Sequence, residues 1–338
     1  MKVAVLGSGD WGTALVTYLL NYTNNQVVWY VRESDLEHYK TTNHFKRFSE
    51  YTPNDIGDRL TMVTNINEVS GDHIIVDHII VAIPTAFLEG ELKKFERTER
   101  FRDLTYYSTW IIASKGMVGG KHISEFLIEN NYSNIQNTVM ISGPCHAEEL
   151  VRGKNSYLDI SPGPRTDAVI RDISSSVLTL HVLDKTTSIG NMEDASIFKN
   201  IIAIGAGIID GFEMGDNFKA VYITSAIKSI QLRLDMYRDM YNLFSIGDIL
   251  VTSYSKHSRN YRYGYNISAA HTTVPLLYTP EGYNSLRQLY SSRKYSSILS
   301  DPWLLFVYRI VNEYTTMGSL KSDRVNMYID DLKHHLFA

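Results

Sequence analysis

The sequence predicts an α/β domain with a parallel sheet, followed by an all-helical domain. In the first half, short apolar runs alternate with helical patterns, which is typical of βαβ units. Beyond about residue 190, long helical stretches replace these runs. A length of 338 residues suits two domains of roughly 150 residues each. We therefore expect a first domain over residues 1–188 and a second over residues 189–338.

Seven apolar runs are the predicted strands of the first domain. They cover residues 3–6, 26–31, 78–83, 109–113, 138–142, 157–160 and 178–183. A helical pattern over residues 13–20 directly follows the first run, as in a βαβ unit. In the second domain, apolar residues at helical spacing predict helices over residues 193–209, 218–238 and 302–317.

Composition and charge exclude several classes of partner. The chain has 33 Lys and Arg against 37 Asp and Glu, so a formal charge of −4 provides no basic field for nucleic acid. No apolar stretch reaches the roughly 20 residues that span a bilayer. The single cysteine, Cys145, excludes an internal disulfide and fits a reducing compartment. The 11 histidines show no metal-ligand spacing. We therefore expect a cytoplasmic protein without nucleic acid, a membrane span or a metal.

The first predicted strand leads into a glycine-rich turn, residues 7–12, which fits the pattern G-x-G-x-x-G. This pattern is weak alone, but between a strand and a helix it is typical of Rossmann-type dinucleotide sites. Gly7 allows a tight turn, Gly9 lets a pyrophosphate approach, and Gly12 permits close helix packing. The helix N-terminus directs N–H groups at the phosphates. The predicted cofactor residues here are Gly7, Gly9, Asp10, Trp11 and Gly12.

The second predicted strand ends in two residues that favour different cofactors. Sites for NAD usually place an acidic residue about 20 residues beyond the glycines, where it accepts from the ribose hydroxyl. Glu33 fits that role, whereas the neighbouring Arg32 fits the 2′-phosphate of NADP. The sequence leaves the choice open, with Arg32 favouring tolerance of NADP.

One lysine stands in an otherwise uncharged helical segment. Lys199 is the only charge within residues 195–209. On a helix it shares a face with small and branched apolar residues and has no acidic neighbour one turn away. Desolvation lowers the pKa of such a lysine and suits it to proton transfer. A lysine that extends to solvent from the helix edge is an equally supported alternative.

Further candidate residues follow predicted strands or cluster downstream. Asp248 and Thr252 lie one helical turn apart, and Ser258, Arg259 and Asn260 offer a guanidinium and neutral donors to a phosphate. Two loops, residues 113–116 with Lys115 and residues 142–147, follow predicted strands at the edge where α/β sheets bind ligands. The basic and aromatic run 256–265 is too short to favour nucleic acid in an acidic chain.

In this order, the motifs resemble the NAD(P)-dependent glycerol-3-phosphate dehydrogenase family of the soluble bacterial type. The resemblance is carried by residues 7–15, 114–116 (Ser-Lys-Gly), 142–149 (Ser-Gly-Pro-Cys-His-Ala-Glu-Glu), 199–200 (Lys-Asn), 207–217 and 247–260. It implies a Rossmann-type domain and a helical domain like the C-terminal one of 6-phosphogluconate dehydrogenase, with the substrate held between them. It also implies an NAD(P) cofactor, a homodimer, and interconversion of dihydroxyacetone phosphate and sn-glycerol 3-phosphate for phospholipid synthesis.

The resemblance also implies a role for each matching residue. Lys199 would exchange the proton at the C2 oxygen while hydride moves to or from the nicotinamide. The residues that would orient substrate and lysine are Lys115, Asn200, Asp248 and Thr252. Those that would bind phosphate or cofactor groups are Ser258, Arg259, Asn260 and Glu281, together with Gly143, Cys145 and Ala147 in the loop after the fifth predicted strand.

Three departures mark a divergent member. The family usually has Ser or Asn at Asp10, and a carboxylate beside a pyrophosphate is expected to weaken cofactor affinity. The run 241–246 and the pair Ser225–Ala226 also differ from the family pattern. Two other interpretations stay open: a 3-hydroxyacid or ketopantoate-type reductase of similar architecture, which would not need Arg259, and a non-catalytic dinucleotide sensor.

Overall fold

A computed structural model describes residues 1–54, 56–70, 76–269 and 279–336. Two compact units are present. Unit 1 comprises Met1–Val118 and His122–Met192, and unit 2 comprises Gly119–Lys121 and Glu193–Ala338. The helix Ile189–Gly211 contributes residues to both units, so the domain boundary at 188/189 stays a prediction.

Unit 1 is built on a sheet that, within the described residues, has eight strands. They are β1 (Lys2–Leu6), β2 (Gln26–Tyr30), β3 (Leu60–Val63), β4 (His78–Val81), β5 (Thr109–Ile112), β6 (Thr138–Ser142), β7 (Ser156–Ile160) and β8 (Leu178–Val182). Their order is β3-β2-β1-β4-β5-β6-β7-β8. The first six strands in this order are parallel, β7 is antiparallel to β6, and β8 is parallel to β7. The first six strands therefore have the order of a doubly wound dinucleotide-binding sheet.

The seven predicted strands are confirmed, each ending within two residues of its predicted limits. The additional strand, β3, escaped prediction for a physical reason. It lies at the sheet edge, where only β2 pairs with it, and only Val63 of its four residues is buried. An edge strand with few buried positions carries little of the apolar pattern on which sequence prediction depends.

The helices of unit 1 connect the strands. They are α1 (Asp10–Tyr22), α2 (Glu33–Thr42), α3 (Thr85–Leu92), α4 (Glu99–Tyr107), α5 (Ile123–Glu129), α6 (Ala147–Leu150) and α7 (Thr166–Ile173), with short 3-10 helices at Ser49–Tyr51, Gly57–Arg59 and Ile66–Ser70. On one face of the sheet, alternate residues such as Val3, Val5 and Ile80 form a buried cluster with Leu15 and Leu19 of α1. This packing holds the N-terminus of α1 at the carboxyl end of β1.

Within the described residues of unit 2, the elements between residues 193 and 336 are all helices joined by loops. Its elements are α8 (Ile189–Gly211), α9 (Asp216–Arg233), α10 (Asp248–Tyr254), α11 (Arg259–Ser268), α12 (Glu281–Ser291), α13 (Pro302–Met317) and α14 (Ser322–His335), with short helices at Asp239–Tyr241, Leu243–Gly247 and Arg293–Tyr295. Helix α8 is buried along most of its length, and α11 crosses it closely. A Cβ on Gly264 of α11 would lie 1.9 Å from the Ile204 carbonyl oxygen of α8, so only glycine permits this crossing.

Two predicted helices of unit 2 differ from the structure at their ends. The predicted helix 218–238 ends earlier, at Arg233, because Asp235 adopts a left-handed backbone with φ of 54°. The predicted helix 193–209 begins earlier, at Ile189. Within the described ranges, no helix is long and apolar enough to cross a membrane.

Candidate active site

The glycine-rich turn lies at the carboxyl end of β1, between β2 and β4, where the strand order of the sheet reverses. Gly7 has φ of +117°, which favours glycine, and the indole N–H of Trp29 donates to its carbonyl oxygen at 3.0 Å. A Cβ on Gly12 would lie 2.1 Å from the same oxygen. The turn is therefore shaped by contacts that exclude side chains at both positions.

The outer side of this turn is open. A Cβ on Gly9 would meet nothing within 4 Å, and Gly9 caps α1 without a side-chain hydrogen bond to the first-turn amides. These amides and the helix dipole favour an anion at this position. The indole Nε1 of Trp11 is buried and finds no hydrogen-bond partner among the described residues. An open backbone surface at a helix N-terminus fits a dinucleotide diphosphate, and Trp11 adds a buried donor that no described residue satisfies.

A charged cluster lies just beyond β2, at the start of α2, around the carboxylate of Asp35. The sequence alone did not point to this residue. Its side chain is buried and accepts from the Ser8 hydroxyl, from Arg32 Nε at 3.0 Å and from Arg32 Nη2 at 3.3 Å. Burial raises the pKa of Asp35, but these hydrogen bonds and the charges of Arg32 and Arg47 outweigh it and hold the pKa below its ordinary value. Arg32 is exposed, and so is Glu33, the other residue weighed for cofactor choice.

Arg47 is a second residue that the sequence did not single out. Its Nε donates to Asp10 Oδ1 at 2.8 Å, and its Nη1 donates to the Ser8 carbonyl oxygen at 2.8 Å. Lys46 lies beside it, with Nζ 3.8 Å from Asp35 Oδ1. No spacing rule predicts these contacts, because Arg47 lies in an irregular segment 37 residues beyond Asp10.

The two predicted ligand loops follow β5 and β6, whose carboxyl ends lie at the same sheet edge as the glycine-rich turn. After β5, the Ser114 hydroxyl donates to the Ile83 carbonyl oxygen at 2.6 Å, which fixes the loop, and Lys115 is half-buried. After β6, a Cβ on Gly143 would lie 3.1 Å from the Tyr157 carbonyl oxygen. Cys145 and Ala147 follow and are half-buried.

Unit 2 contains a buried lysine cluster, Lys199, Asp248 and Thr252. Lys199 on α8 donates from Nζ to Asp248 Oδ1 at 2.9 Å and to Thr252 Oγ1 at 3.2 Å, both on α10. The Thr252 hydroxyl donates in turn to Asp248 Oδ1 at 3.3 Å. Lys199 and Asp248 are 6% and 2% exposed. Along α8 no acidic residue lies one turn from Lys199, as expected, but the ammonium still meets a carboxylate, because Asp248 comes from another helix 49 residues away. The alternative of a lysine that extends to solvent is wrong, because Lys199 is buried.

An asparagine pair lies next to this cluster in sequence. Asn260 Nδ2 of α11 donates to Asn200 Oδ1 of α8 at 2.9 Å, and the backbone N–H of Gly282 donates to Asn260 Oδ1 at 2.9 Å. Asn200 Nδ2 is buried and has no hydrogen-bond partner within the residues that the structure describes. A buried amide donor without a protein acceptor is costly unless water or a ligand satisfies it.

The remaining predicted residues of unit 2 lie at helix starts. The Ser258 hydroxyl caps α11 by accepting from the Tyr261 N–H at 3.2 Å, so its role is partly structural. Arg259 is exposed at the first position of α11, and Glu281 is half-buried at the first position of α12. The divergent run 241–246 leads into a π-helical turn, Leu243–Gly247, that ends directly before Asp248.

Two family models match the chain. The model of the NAD-dependent glycerol-3-phosphate dehydrogenase N-terminus covers residues 2–162, and the model of its C-terminus covers residues 189–320. The chain belongs to this family.

Relatives of this dehydrogenase family cover most of the chain. The Oceanobacillus iheyensis protein described as glycerol-3-phosphate dehydrogenase [NAD(P)+] is 34% identical over 275 residues, which are 78% of this chain and 75% of that protein. The Staphylococcus carnosus protein of the same description is 29% identical, covering 88% and 90%. The expected family and its NAD(P) cofactor are confirmed, and the chain is an NAD(P)-dependent oxidoreductase.

A solved structure supports the fold of this dehydrogenase. The crystal structure of glycerol-3-phosphate dehydrogenase from Coxiella burnetii aligns with a TM-score of 0.81 at 20% identity, covering 100% of this chain and 99% of that one. The predicted fold class, a Rossmann-type domain with a helical C-terminal domain, is confirmed. Among the described residues of the dehydrogenase, no group of three or more His, Cys, Asp or Glu side chains could hold a metal ion.

Proposed function

We propose that this dehydrogenase interconverts dihydroxyacetone phosphate and sn-glycerol 3-phosphate, a precursor for phospholipids. The observation that carries the proposal is the buried lysine cluster with the unsatisfied amide of Asn200 on the same helix. A buried lysine held by a carboxylate and a hydroxyl can exchange a proton with a substrate oxygen at a fixed position.

Lys199 is the proposed proton-transfer group. When bound, the dinucleotide supplies hydride to the carbonyl carbon or takes it from the alcohol carbon. In reduction, the Lys199 ammonium donates a proton to the carbonyl oxygen as that carbon accepts hydride. In oxidation, the neutral amine accepts the C2 hydroxyl proton as hydride leaves. Asp248 and Thr252 hold Nζ in place, and the Asp248 carboxylate stabilises the ammonium form.

Polar residues near the lysine in sequence are assigned to the substrate. The free N–H of Asn200 would donate to a substrate oxygen, which would satisfy this buried group. Asn260 holds the Asn200 side chain by a hydrogen bond and so fixes the direction of that donor. Arg259 would bind the phosphate, because a planar guanidinium forms paired hydrogen bonds with phosphate oxygens.

Residues of unit 1 are assigned to the cofactor and to further substrate contacts. The glycine-rich turn would bind the diphosphate, with Trp11 contributing its unsatisfied N–H. Arg32 would contact the adenosine side of the cofactor. Lys115 would contact substrate and cofactor phosphates. The remaining assignments follow the family pattern: Gly143, Cys145 and Ser258 to the substrate, and Ala147 and Glu281 to the cofactor.

The decisive assay follows oxidation of NADH and of NADPH with three ketones. Dihydroxyacetone phosphate should be turned over, whereas unphosphorylated dihydroxyacetone and ketopantoate should be poor substrates. Turnover of ketopantoate alone would instead favour the related reductase. Cofactor binding without turnover of any ketone would favour the sensor.

A variant pair tests the role of the lysine. Lys199→Met removes the proton-transfer group and should reduce kcat at least about a hundredfold, the range for a lost general acid or base, while NADH still binds. Lys228→Met, on the exposed face of α9, removes the same charge elsewhere and should leave kcat unchanged. Turnover near wild type in Lys199→Met would refute the assignment.

We also propose that the dehydrogenase is a cytoplasmic homodimer. The resemblance to the soluble bacterial type and the single cysteine, Cys145, support this proposal. Light scattering of the purified chain should give a mass of about twice 38.6 kDa, and a monomer mass would contradict the dimer.

A further inference from the structure

The glycine-rich turn contains a negative charge at the position proposed for the cofactor diphosphate. Asp10 is the first residue of α1, and its side chain is 42% exposed. Like charges a few ångströms apart repel, so an isolated carboxylate here would oppose a diphosphate. The helix dipole favours Asp10 at this position, but it favours the diphosphate by the same mechanism, so the two anions compete.

Arg47 donates two hydrogen bonds to the glycine-rich turn. It binds the Asp10 carboxylate through Nε and the Ser8 carbonyl oxygen through Nη1, each at 2.8 Å. The residue comes from the segment between α2 and the short helix Ser49–Tyr51, outside the βαβ unit that forms the turn. The guanidinium therefore neutralises the added carboxylate and also holds the backbone of the turn.

The surroundings of Arg47 carry an excess of positive charge. Arg47 lies in one group with Ser8, Asp35 and Lys46. Its Nη1 lies 4.0 Å from Asp35 Oδ1, which Arg32 also binds. The cations Arg32, Lys46 and Arg47 thus lie around two carboxylates, those of Asp10 and Asp35. These five side chains have a net formal charge of +1. The cluster can offset an anionic ligand even though the whole chain has a formal charge of −4.

We propose that Arg47 is a charge-compensating residue of the cofactor site, which makes a turn containing Asp10 able to bind a dinucleotide diphosphate. The inference rests on the proposed assignment of this turn to the cofactor. It accounts for a departure from the family pattern: Asp10 was expected to weaken cofactor affinity, and Arg47 offsets that effect. Arg47 and Asp10 should therefore act as a coupled pair in cofactor binding.

A double-mutant cycle tests this coupling, with NADH affinity measured by fluorescence titration. Arg47→Met removes the guanidinium that binds the Asp10 carboxylate and should weaken NADH binding about tenfold or more. Asp10→Asn should stay within about threefold of wild type, because the cofactor role proposed for this position belongs to its backbone N–H, and the variant removes only the carboxylate that Arg47 offsets. The double variant should also return to within about threefold, since the repulsion is absent. Arg102→Met, on the exposed face of α4, is the matched control and should not change the affinity.

Other outcomes would overturn the proposal. An Arg47→Met variant that binds NADH like wild type shows that Asp10 needs no compensation. A double variant as weak as Arg47→Met shows that Arg47 acts only by holding the Ser8 backbone. If Arg47→Met does not fold, Arg47→Lys is used, and Asp10→Asn must then restore whatever affinity Arg47→Lys has lost.

A separate variant tests the assignment on which the inference rests. Gly9→Ala introduces a methyl group into space where the protein has no atom within 4 Å, at an ordinary backbone φ of −74°. The fold should keep its thermal stability, and NADH binding should be lost because the methyl group occupies the open side of the turn. Normal NADH affinity in Gly9→Ala would place the cofactor elsewhere. If Gly9→Ala loses binding but the double-mutant cycle shows no coupling, only the role of Arg47 is overturned.

Discussion

Replacing Asp248 with asparagine tests whether the lysine cluster is a tightly held, buried ion pair. The change keeps the shape of the side chain but removes its charge, so the buried Lys199 ammonium loses the negative charge of the carboxylate to which it donates. At the Nζ–Oδ1 distance of 2.9 Å and an effective dielectric constant of about 20, the Coulomb attraction is about 6 kcal/mol. Because desolvation offsets part of this attraction, we expect Asp248→Asn to lower the free energy of unfolding by about 3–5 kcal/mol.

The assay measures the midpoint of urea-induced unfolding, together with the rate of amide hydrogen exchange in peptides from α8 and α10. Exchange is included because a chain with two compact units need not unfold in one step. Asp248→Asn should speed exchange in α8 and α10 while leaving β1 and β4 unchanged. The activity should also fall, because Lys199 loses the carboxylate that holds Nζ.

A second variant separates stability from catalysis. Lys199→Met/Asp248→Leu replaces the ion pair by apolar side chains of similar size, which often restores or raises stability. We expect the midpoint to return to near the wild-type value while turnover stays absent. If Asp248→Asn is as stable as wild type, or if the double variant is no more stable than Asp248→Asn, the argument from a buried pair is refuted.

Two further predictions concern residues that position the candidate site. Gly282→Ala would place a Cβ 2.7 Å from the Asn200 carbonyl oxygen, so it should lower both kcat and the unfolding free energy, the latter by about 1–3 kcal/mol. The control Gly90→Ala, whose Cβ meets nothing within 4 Å on α3, should match or exceed wild-type stability in the same thermal melt. Asp35→Asn should lower the unfolding free energy by about 2 kcal/mol at pH 7, because charged hydrogen bonds to Ser8 and Arg32 are lost. Since the folded-state pKa of Asp35 is lowered, the stability difference between wild type and Asp35→Asn should be present above about pH 4 and should shrink below it. Urea titrations at several pH values measure this difference, and a difference that does not change with pH would contradict the prediction.

The departure at Asp10 illustrates how an inference from neighbouring residues can leave out a distant charge. The sequence places a carboxylate in the glycine-rich turn and predicts a charge conflict with a diphosphate. The compensating Arg47 comes from an irregular segment with no periodic pattern, and it reaches the turn only because β2 and the loop after α2 fold back onto it. Long-range ion pairs of this kind leave no signal in spacing, so the sequence could not reveal this one.

The sequence by itself determined the seven strands with apolar runs, the helix after the first of them, and the chemistry that depends on neighbours along the chain. Central strands are buried on both faces and read as apolar runs, and the glycine-rich turn needs only a strand, three glycines and a helix in succession. The tertiary structure decided which charges meet. Along its own helix Lys199 has no acidic residue one turn away, but α10 places Asp248 Oδ1 at 2.9 Å from Lys199 Nζ. Asn200, Asn260 and Gly282 likewise meet only because three helices converge. The physical reason is that hydrophobic patterning fixes which face of a helix is buried, whereas the packing of side chains fixes which polar groups lie opposite each other.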